Sequence, residues 1–356
     1  MNILIRLPNW LGDVVMSAGF VRALHRRHPR ARLHLVSKAE LSPLLPALLP
    51  PEAAFDVHPF AKKDWPGPLG PWHFGRKLKQ KYGPFDRYYC LPNSFSTALL
   101  GLGAGASARV GYAADVRGPL LTHALRRRPG QHRADDYTHL LGAFGSDAAA
   151  VPPAHQADVR LTMPALTTAA EPAFDAAIRV ASTPLLLNFN SEAPARRMPI
   201  AKAAAIIQAL QQAAPGRPLG LIGAPREAER ATAIIAALPE KNQAQVQNLA
   251  GQTNLTGLLT LLQGAVLLFS TDSGPAHVAN ALGTPLVVCF GPGDETSTGP
   301  YHASRAVVVR APGPVPCGGC TNVCRFGEVP PCLLNLDENA LVATVRRMLD
   351  ESDVKD

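Results

Sequence analysis

Apolar residues fall in short blocks along this chain, and between the blocks they recur every three to four positions. Residues 2–7 form the first block. Pro8, Asn9 and Gly12 then break the pattern, Asp13 follows, and residues 14–28 place apolar side chains at helical spacing. That order predicts strand, loop, helix. Residues 33–36 predict a second strand, and 87–91, 98–102 and 109–111 continue the alternation less regularly. Residues 112–183 are poorer in strand signals and richer in Pro, His and Arg, as the end of a domain and a linker would be. A second series then begins. Strands at 185–188, 219–222, 265–270, 285–290 and 306–309 alternate with helices at 200–214, 227–238, 255–263 and 275–282, and an amphipathic helix at 337–349 closes the chain.

Strands alternating with helices predict parallel sheets covered on their faces. The expected class is α/β with two domains of similar kind, residues 1–175 and 176–335, followed by a terminal helix and tail at 336–356.

Two strand ends carry candidate chemistry. The first is Ser270-Thr271-Asp272-Ser273-Gly274-Pro275-Ala276-His277, where an apolar strand gives way to a helix. Ligands of open parallel sheets bind beyond the carboxyl ends of strands, and a helix N-terminus attracts phosphate. Gly274 lets a diphosphate approach the backbone, and His277 sits about one turn in. Asp272 or Ser273 acting only as a helix cap is an equal reading of the same residues. The second is Asn9-Trp10-Leu11-Gly12-Asp13, at the equivalent place in the first domain. A carboxylate there can accept a proton from an attacking hydroxyl; Asp13 can also simply cap the helix it starts. The run Gly101-Leu102-Gly103-Ala104-Gly105-Ala106 matches a dinucleotide-binding pattern, but a helix-like stretch precedes it and a strand follows, the reverse of what that site needs.

Composition changes this picture little: 47% hydrophobic and 17% charged residues are ordinary for a globular protein. Charge changes it more. A net +8 favours an anionic partner, with Arg126, Arg127 and Arg128 and the 77–81 segment as basic clusters, though each is equally a solvated surface. No nucleic-acid motif accompanies them, so no nucleic-acid partner is expected. No apolar run reaches the roughly 18 residues of a membrane span, and the N-terminus lacks signal-peptide features. A cytoplasmic protein is expected, touching a membrane from inside. Of the six cysteines, Cys90 and Cys289 lie in apolar strands as small core residues. Cys317, Cys320, Cys324 and Cys332 cluster near the end. They could hold a structural zinc, remain thiols in a packed loop, or form disulfides after isolation.

Together these motifs resemble the bacterial lipopolysaccharide heptosyltransferases of glycosyltransferase family 9, over nearly the whole chain. The likeness is densest at Pro8-Asn9-Trp10-Leu11-Gly12-Asp13-Val14-Val15-Met16, whose tryptophan form is most like the heptosyltransferase II branch. It continues at Ala195-Arg196-Arg197-Met198-Pro199, at Asn248-Leu249-Ala250-Gly251-Gln252-Thr253, at the Asp272–His277 motif and at the cysteine segment. The family usually carries lysine at position 196 and tryptophan at 198. Arginine keeps the charge but presents a planar, bidentate head.

The resemblance implies a GT-B fold, two Rossmann-like domains with parallel sheets facing across a cleft. It implies transfer of L-glycero-D-manno-heptose from ADP-heptose to the lipid A-core oligosaccharide at the inner membrane, with no cofactor required for catalysis. By its pattern Asp13 would be the general base, with Asn9, Trp10 and Gly12 in the cleft loop. Arg196 would meet the donor's phosphate and sugar region, Glu227 the ribose and Thr253 the adenine. Asp272 would hold sugar hydroxyls and Ser273 and Gly274 the diphosphate, with His277 beside them. The family's architecture also suggests that the terminal helix packs across the domain boundary. Its apolar residues Leu336, Ala340, Leu341, Val345 and Leu349 share one face.

Overall fold

The computed structural model describes residues 1–145, 149, 151–163, 184–314, 320 and 322–353. The chain divides into two compact units, residues 1–164 and 165–356. The expected boundary at 175/176 lies outside the described residues.

The first unit is built on β1 (Asn2–Arg6), β2 (Arg32–Lys38), β3 (Phe55–Phe60), β4 (Arg87–Cys90), β5 (Ala108–Tyr112) and β6 (His123–Leu125). All pairs are parallel, in the order β3-β2-β1-β4-β5-β6. Winding reverses between β1 and β4, which opens a crevice at their carboxyl ends. β1 is buried on both faces, as its continuous apolar run requires. Two helices follow it, Leu11–Met16 and Ala18–Arg27, broken at Ser17, whose hydroxyl donates to the Val14 carbonyl.

Helix Gly70–Tyr82 packs on helix Phe95–Gly103 with backbones nearly touching. A Cβ at Gly75 would lie 2.2 Å from the Leu100 carbonyl oxygen, and one at Gly103 would lie 2.1 Å from that of Trp72. The glycine-rich run is therefore a helix end built for close packing, and its turn into β5. Residues 98–102, read above as continuing the strand series, are helical. β3 and the helices Gly70–Tyr82 and Arg133–His139 carried no clear signal, because Pro, Gly and charge interrupt their apolar spacing.

The second unit repeats the plan with β7 (Leu185–Asn188), β8 (Leu219–Leu221), β9 (Val246–Asn248), β10 (Leu267–Thr271), β11 (Leu286–Cys289) and β12 (Ala306–Val309). The order is β12-β11-β10-β7-β8-β9, again parallel, with its reversal between β7 and β10. The helices at Ile200–Ala213, Ala228–Ala236, Leu255–Gln263 and Gly274–Leu282 fall close to the expected bounds, and β9 is an addition. The terminal helix, Glu338–Asp353, places Leu341, Val345, Met348 and Leu349 in this unit's core beside Ile207 and Leu210. Its apolar face is thus occupied within the second unit. No helix among the described residues is long and apolar enough to cross a membrane.

Candidate active site

In the first unit the loop after β1 is fixed from below. Buried Arg6 donates to the Leu7 carbonyl at 2.7 Å and to Asn9 Oδ1 at 2.6 Å, so the last strand residue clamps the loop that follows it. Gly12 is buried, whereas Trp10 is 54% exposed with the Lys38 ammonium 5.2 Å from its ring centre. Asp13 lies in the first turn of helix Leu11–Met16, and Trp10 is the N-cap residue with no side-chain cap. The Asp13 carboxylate instead accepts a 3.0 Å hydrogen bond from the Tyr137 hydroxyl, and the Arg133 guanidinium approaches to 4.0 Å. Burial pushes the Tyr137 phenol well up, so it stays a donor. Arg133 and Tyr137 are one helical turn apart on Arg133–His139, which is why both reach the same carboxylate. Asp13 keeps 20% of its side chain exposed, enough for contact with a substrate.

In the second unit the site residues gather at the carboxyl ends of β7 and β10, where the winding reverses. Asn188, the last residue of β7, donates to Ser273 Oγ at 2.8 Å and to Ser270 Oγ at 3.2 Å. Ser191 Oγ donates to the Asp272 carbonyl and Thr271 Oγ1 to the Asn190 carbonyl. These bonds lock the turn in which Ser273 is the extended N-cap residue of helix Gly274–Leu282, without a side-chain cap. Pro275 removes one first-turn N–H, so the donors offered there narrow to the Ser273–Gly274 amides. His277 is buried on the same helix.

Asp272 is 3% exposed at its side chain and lies 2.8 Å from Arg196 Nη1. Burial pushes its carboxyl up to about 6, with Arg196 and Arg310 pulling the other way. The ion pair is close but poorly directed: Asp272 Oδ2, Arg196 Nε and Asn190 Oδ1 are all buried and make no hydrogen bond among the described residues. A buried polar atom without a partner is costly, and three at one strand-end crevice mark a place where a polar ligand would complete the set. Gly293 leaves room beside Asp272, since a Cβ there would come within 2.8 Å of Oδ2.

Glu227 and Thr253 lie on the loops after β8 and β9. Glu227 Oε2 accepts from the Ala224 amide at 2.7 Å, closing the turn. Gly251, at φ +76°, donates to the Gly223 carbonyl and passes against Pro225, which ties the two loops together. Arg226 pairs with Glu192, joining the β8 loop to the one after β7. Met198, where the family carries tryptophan, is fully buried in the core and is a packing position.

The cysteine segment is partly described. Cys332 is buried in the second core, where its Sγ would lie 3.1 Å from a Cβ at Gly291. Cys324 Sγ accepts from the Phe326 amide at 3.4 Å. Among the described residues no three metal-ligating side chains converge, and Cys317 lies outside them. The described thiols therefore do not by themselves form a zinc site. Cys90 and Cys289 are buried, as expected.

Sequence reading missed Tyr137 and Arg133, which lie in the stretch taken for a linker. It also missed Asn188 and Asn190; the signal available was a polar residue ending an otherwise apolar strand. The alternative that Asp13, Asp272 and Ser273 serve as helix caps fails, because none of their side chains caps the helix it adjoins.

A model of glycosyltransferase family 9 (heptosyltransferase) matches residues 72–325. Lipopolysaccharide heptosyltransferase 2 of Escherichia coli K12 is 30% identical over 323 residues, covering 86% of this chain and 88% of that protein. Lipooligosaccharide heptosyltransferase 2 of Haemophilus influenzae is 27% identical over 329 residues, covering 87% and 88%. Among solved structures, the E. coli ADP-heptose LPS heptosyltransferase II superposes with a TM-score of 0.78 at 26% identity, covering 99% of this chain and 100% of that one. The two Rossmann-like units are those of the expected GT-B class. With the strand-end motifs in place and the family model spanning both units, the chain belongs to glycosyltransferase family 9, the heptosyltransferases, and is a glycosyltransferase.

Proposed function

We propose that this enzyme transfers L-glycero-D-manno-heptose from ADP-heptose to the inner core of lipopolysaccharide, with inversion at the anomeric carbon. The observation that carries the donor half is the Arg196–Asp272 pair, whose Nε and Oδ2 are buried without a hydrogen-bond partner, together with Asn190 Oδ1, at the β7–β10 crevice. A diphosphate would take Arg196 and the Ser273–Gly274 amides, and sugar hydroxyls would take Asp272. Glu227 and Thr253, on their tied loops, would flank ribose and adenine. His277 lies beside this set.

Asp13 is the proposed base. It removes the proton from an acceptor hydroxyl as that oxygen bonds to the anomeric carbon and the bond to ADP breaks on the opposite face. Tyr137 and Arg133 hold the carboxylate in place. The negative charge developing on ADP meets Arg196 and the helix amides, fixed dipoles that need not reorganise during reaction. No step calls for a metal. The acceptor in this reading is lipid A-core oligosaccharide, carried on the inner membrane.

The test is ADP release with ADP-heptose and a series of truncated lipopolysaccharide acceptors. Turnover should appear only with an acceptor, and Asp13→Ala should lower kcat by about 10²–10⁴-fold with ADP affinity retained. Turnover with another sugar or acceptor alone would move the enzyme elsewhere in its family. Tight ADP binding with no turnover on any acceptor would leave a nucleotide-sugar-binding homologue.

A further inference from the structure

The first unit carries a charged and apolar projection that the proposed chemistry does not use. After β3 the chain forms a turn at Lys62–Asp64, then Trp65-Pro66-Gly67-Pro68-Leu69, then helix Gly70–Tyr82. Pro66, Gly67, Pro68 and Leu69 are exposed, Leu69 by 53%. Residues 62–81 hold six exposed cations, Lys62, Lys63, Arg76, Lys77, Lys79 and Lys81, against the single acid Asp64. This stretch of the chain therefore holds more than half of the molecule's net charge of +8.

The projection is fixed. Gly67 takes φ +77°, and a Cβ at Gly70 would lie 2.0 Å from the Trp65 carbonyl oxygen, so the loop folds tightly onto the helix start. The Trp65 ring meets Phe74 edge-on at 5.4 Å between centres, and Phe74 and Leu78 anchor the helix in the core. Lys77 lies over Trp65 at 5.6 Å and Arg76 over Trp72 at 4.9 Å. The result is an exposed apolar stretch at Pro66–Leu69, two half-buried indoles beside it and a cation over each of those rings. Lipid interfaces select for this combination: aromatic rings at headgroup depth, a short apolar insertion and cations against anionic lipid. A soluble anion would need the cations converged on one point. Here they run from the turn at Lys62–Asp64 along the helix, which fits an extended surface.

We propose that residues 62–81 dock this enzyme on an anionic phospholipid bilayer, with the tip at Pro66–Leu69 entering the headgroup layer. The inference deepens the proposed function, since it supplies a way to reach a membrane-borne acceptor, but its test needs neither donor nor acceptor. The full chain is sedimented with phosphatidylcholine vesicles containing 30% phosphatidylglycerol or none. Binding is expected only to the anionic vesicles, falling steeply with added salt. The variant Lys62→Glu/Lys63→Glu/Arg76→Glu/Lys77→Glu should lower the partition coefficient at least tenfold, since each cation near such a surface contributes about fivefold. Leu69→Asp should weaken binding with little change in salt dependence. A control with the same charge change in the second unit, at Arg217, Lys241, Arg325 and Arg347, should bind nearly as the parent does. Equal loss in the control would reduce the effect to net charge and overturn the proposal. So would absence of binding by the parent, or binding only when lipopolysaccharide is added to the vesicles, which would assign the cations to acceptor phosphates. Transfer to a soluble acceptor fragment should survive in the charge-reversed variant. Vesicle binding without transfer would break the catalytic reading alone, and transfer without vesicle binding would break this one alone.

Discussion

At the scale of single residues, the proposed donor half of the site rests on two loops after β8 and β9 and one ion pair after β7. Arg196 reaches Asp272 from the short turn Pro194–Arg196, while Glu227 already spends one carboxylate oxygen on the Ala224 amide. The two truncations should therefore differ. Arg196→Ala removes the cation that meets a diphosphate and also leaves Asp272 buried and unpaired, so ADP affinity should fall at least tenfold and the fold should lose stability. Glu227→Ala should weaken ADP binding less, by severalfold, and loosen the Gly223–Glu227 turn. Calorimetric titration of ADP reads both; unchanged affinity in both variants would remove these residues from the donor site. The lysine usual in the family is a point charge, whereas arginine keeps an Nε that stays buried and unsatisfied here. That atom is what a bidentate phosphate contact would use.

At the scale of elements, glycines decide how closely helices meet. Helix Gly70–Tyr82 crosses Phe95–Gly103 only because both carry glycine at the crossing. Gly103→Ala would press a methyl group into backbone, which cannot swing aside as a side chain could. A loss of about 2 kcal/mol or more is expected by chemical denaturation, at the upper part of the range for overpacking. The same positions explain why a nicotinamide cofactor should not bind to this run. The cysteine segment is a second pattern suggestive in sequence, of which Cys317 lies outside the described residues. Cys332 belongs to the core with Leu333 and Leu336, while Cys324 holds the Phe326 amide. Cys332→Ser should then cost about 1–3 kcal/mol by burying a hydroxyl. Zinc analysis of reduced protein completes the comparison. Near-stoichiometric metal, lost in Cys332→Ser, would give the segment a shared metal site; absence of metal would leave Cys332 a packing residue.

At the scale of the whole molecule, the two units carry buried groups with opposite responses to acid. In the first unit His34 is fully buried between β1 and β3. Its Nδ1 lies 3.0 Å from His58 Nε2 and 3.5 Å from Asp56, with the Tyr82 and Phe85 rings around it and Arg32 and Lys81 nearby. Burial, then His58, pulls its pKa from 6.5 to about 4. The folded unit therefore holds His34 neutral: its contribution is complete above pH 6.5 and is lost as pH falls toward 4. In the second unit Asp272 is raised from 3.8 to about 6. Its ionised form costs stability above pH 6, and that cost is relieved as pH falls toward 3.8. Each effect is at most on the order of 3 kcal/mol. Between pH 6.5 and 4 the first unit should weaken relative to the second. Hydrogen exchange read separately over residues 1–163 and 184–353 should show this divergence, and His34→Phe should flatten the first unit's pH dependence. Parallel loss in both units would contradict it.

Periodicity in the chain sufficed to place most strands, because a buried parallel strand is a continuous apolar run and needs no partner to be recognised. Leu185–Asn188 and Ala306–Val309 are where that pattern puts them. It also sufficed to locate both strand-end motifs, since a polar, glycine-bearing break after an apolar run marks a loop whatever surrounds it. It failed at Phe55–Phe60, Gly70–Tyr82 and Arg133–His139, whose spacing is broken by Pro, Gly or charge and whose conformation comes from packing on neighbours. Only tertiary structure could show that Tyr137 and Arg133 attend Asp13 across 124 and 120 positions of chain, or that Asn188 braces Ser273 from another strand. The same holds for the ion pair between Arg196 and Asp272. Local pattern records which backbone a segment adopts. Which side chains meet at a strand end depends on sheet order, and that order is set by contacts between residues far apart in the chain.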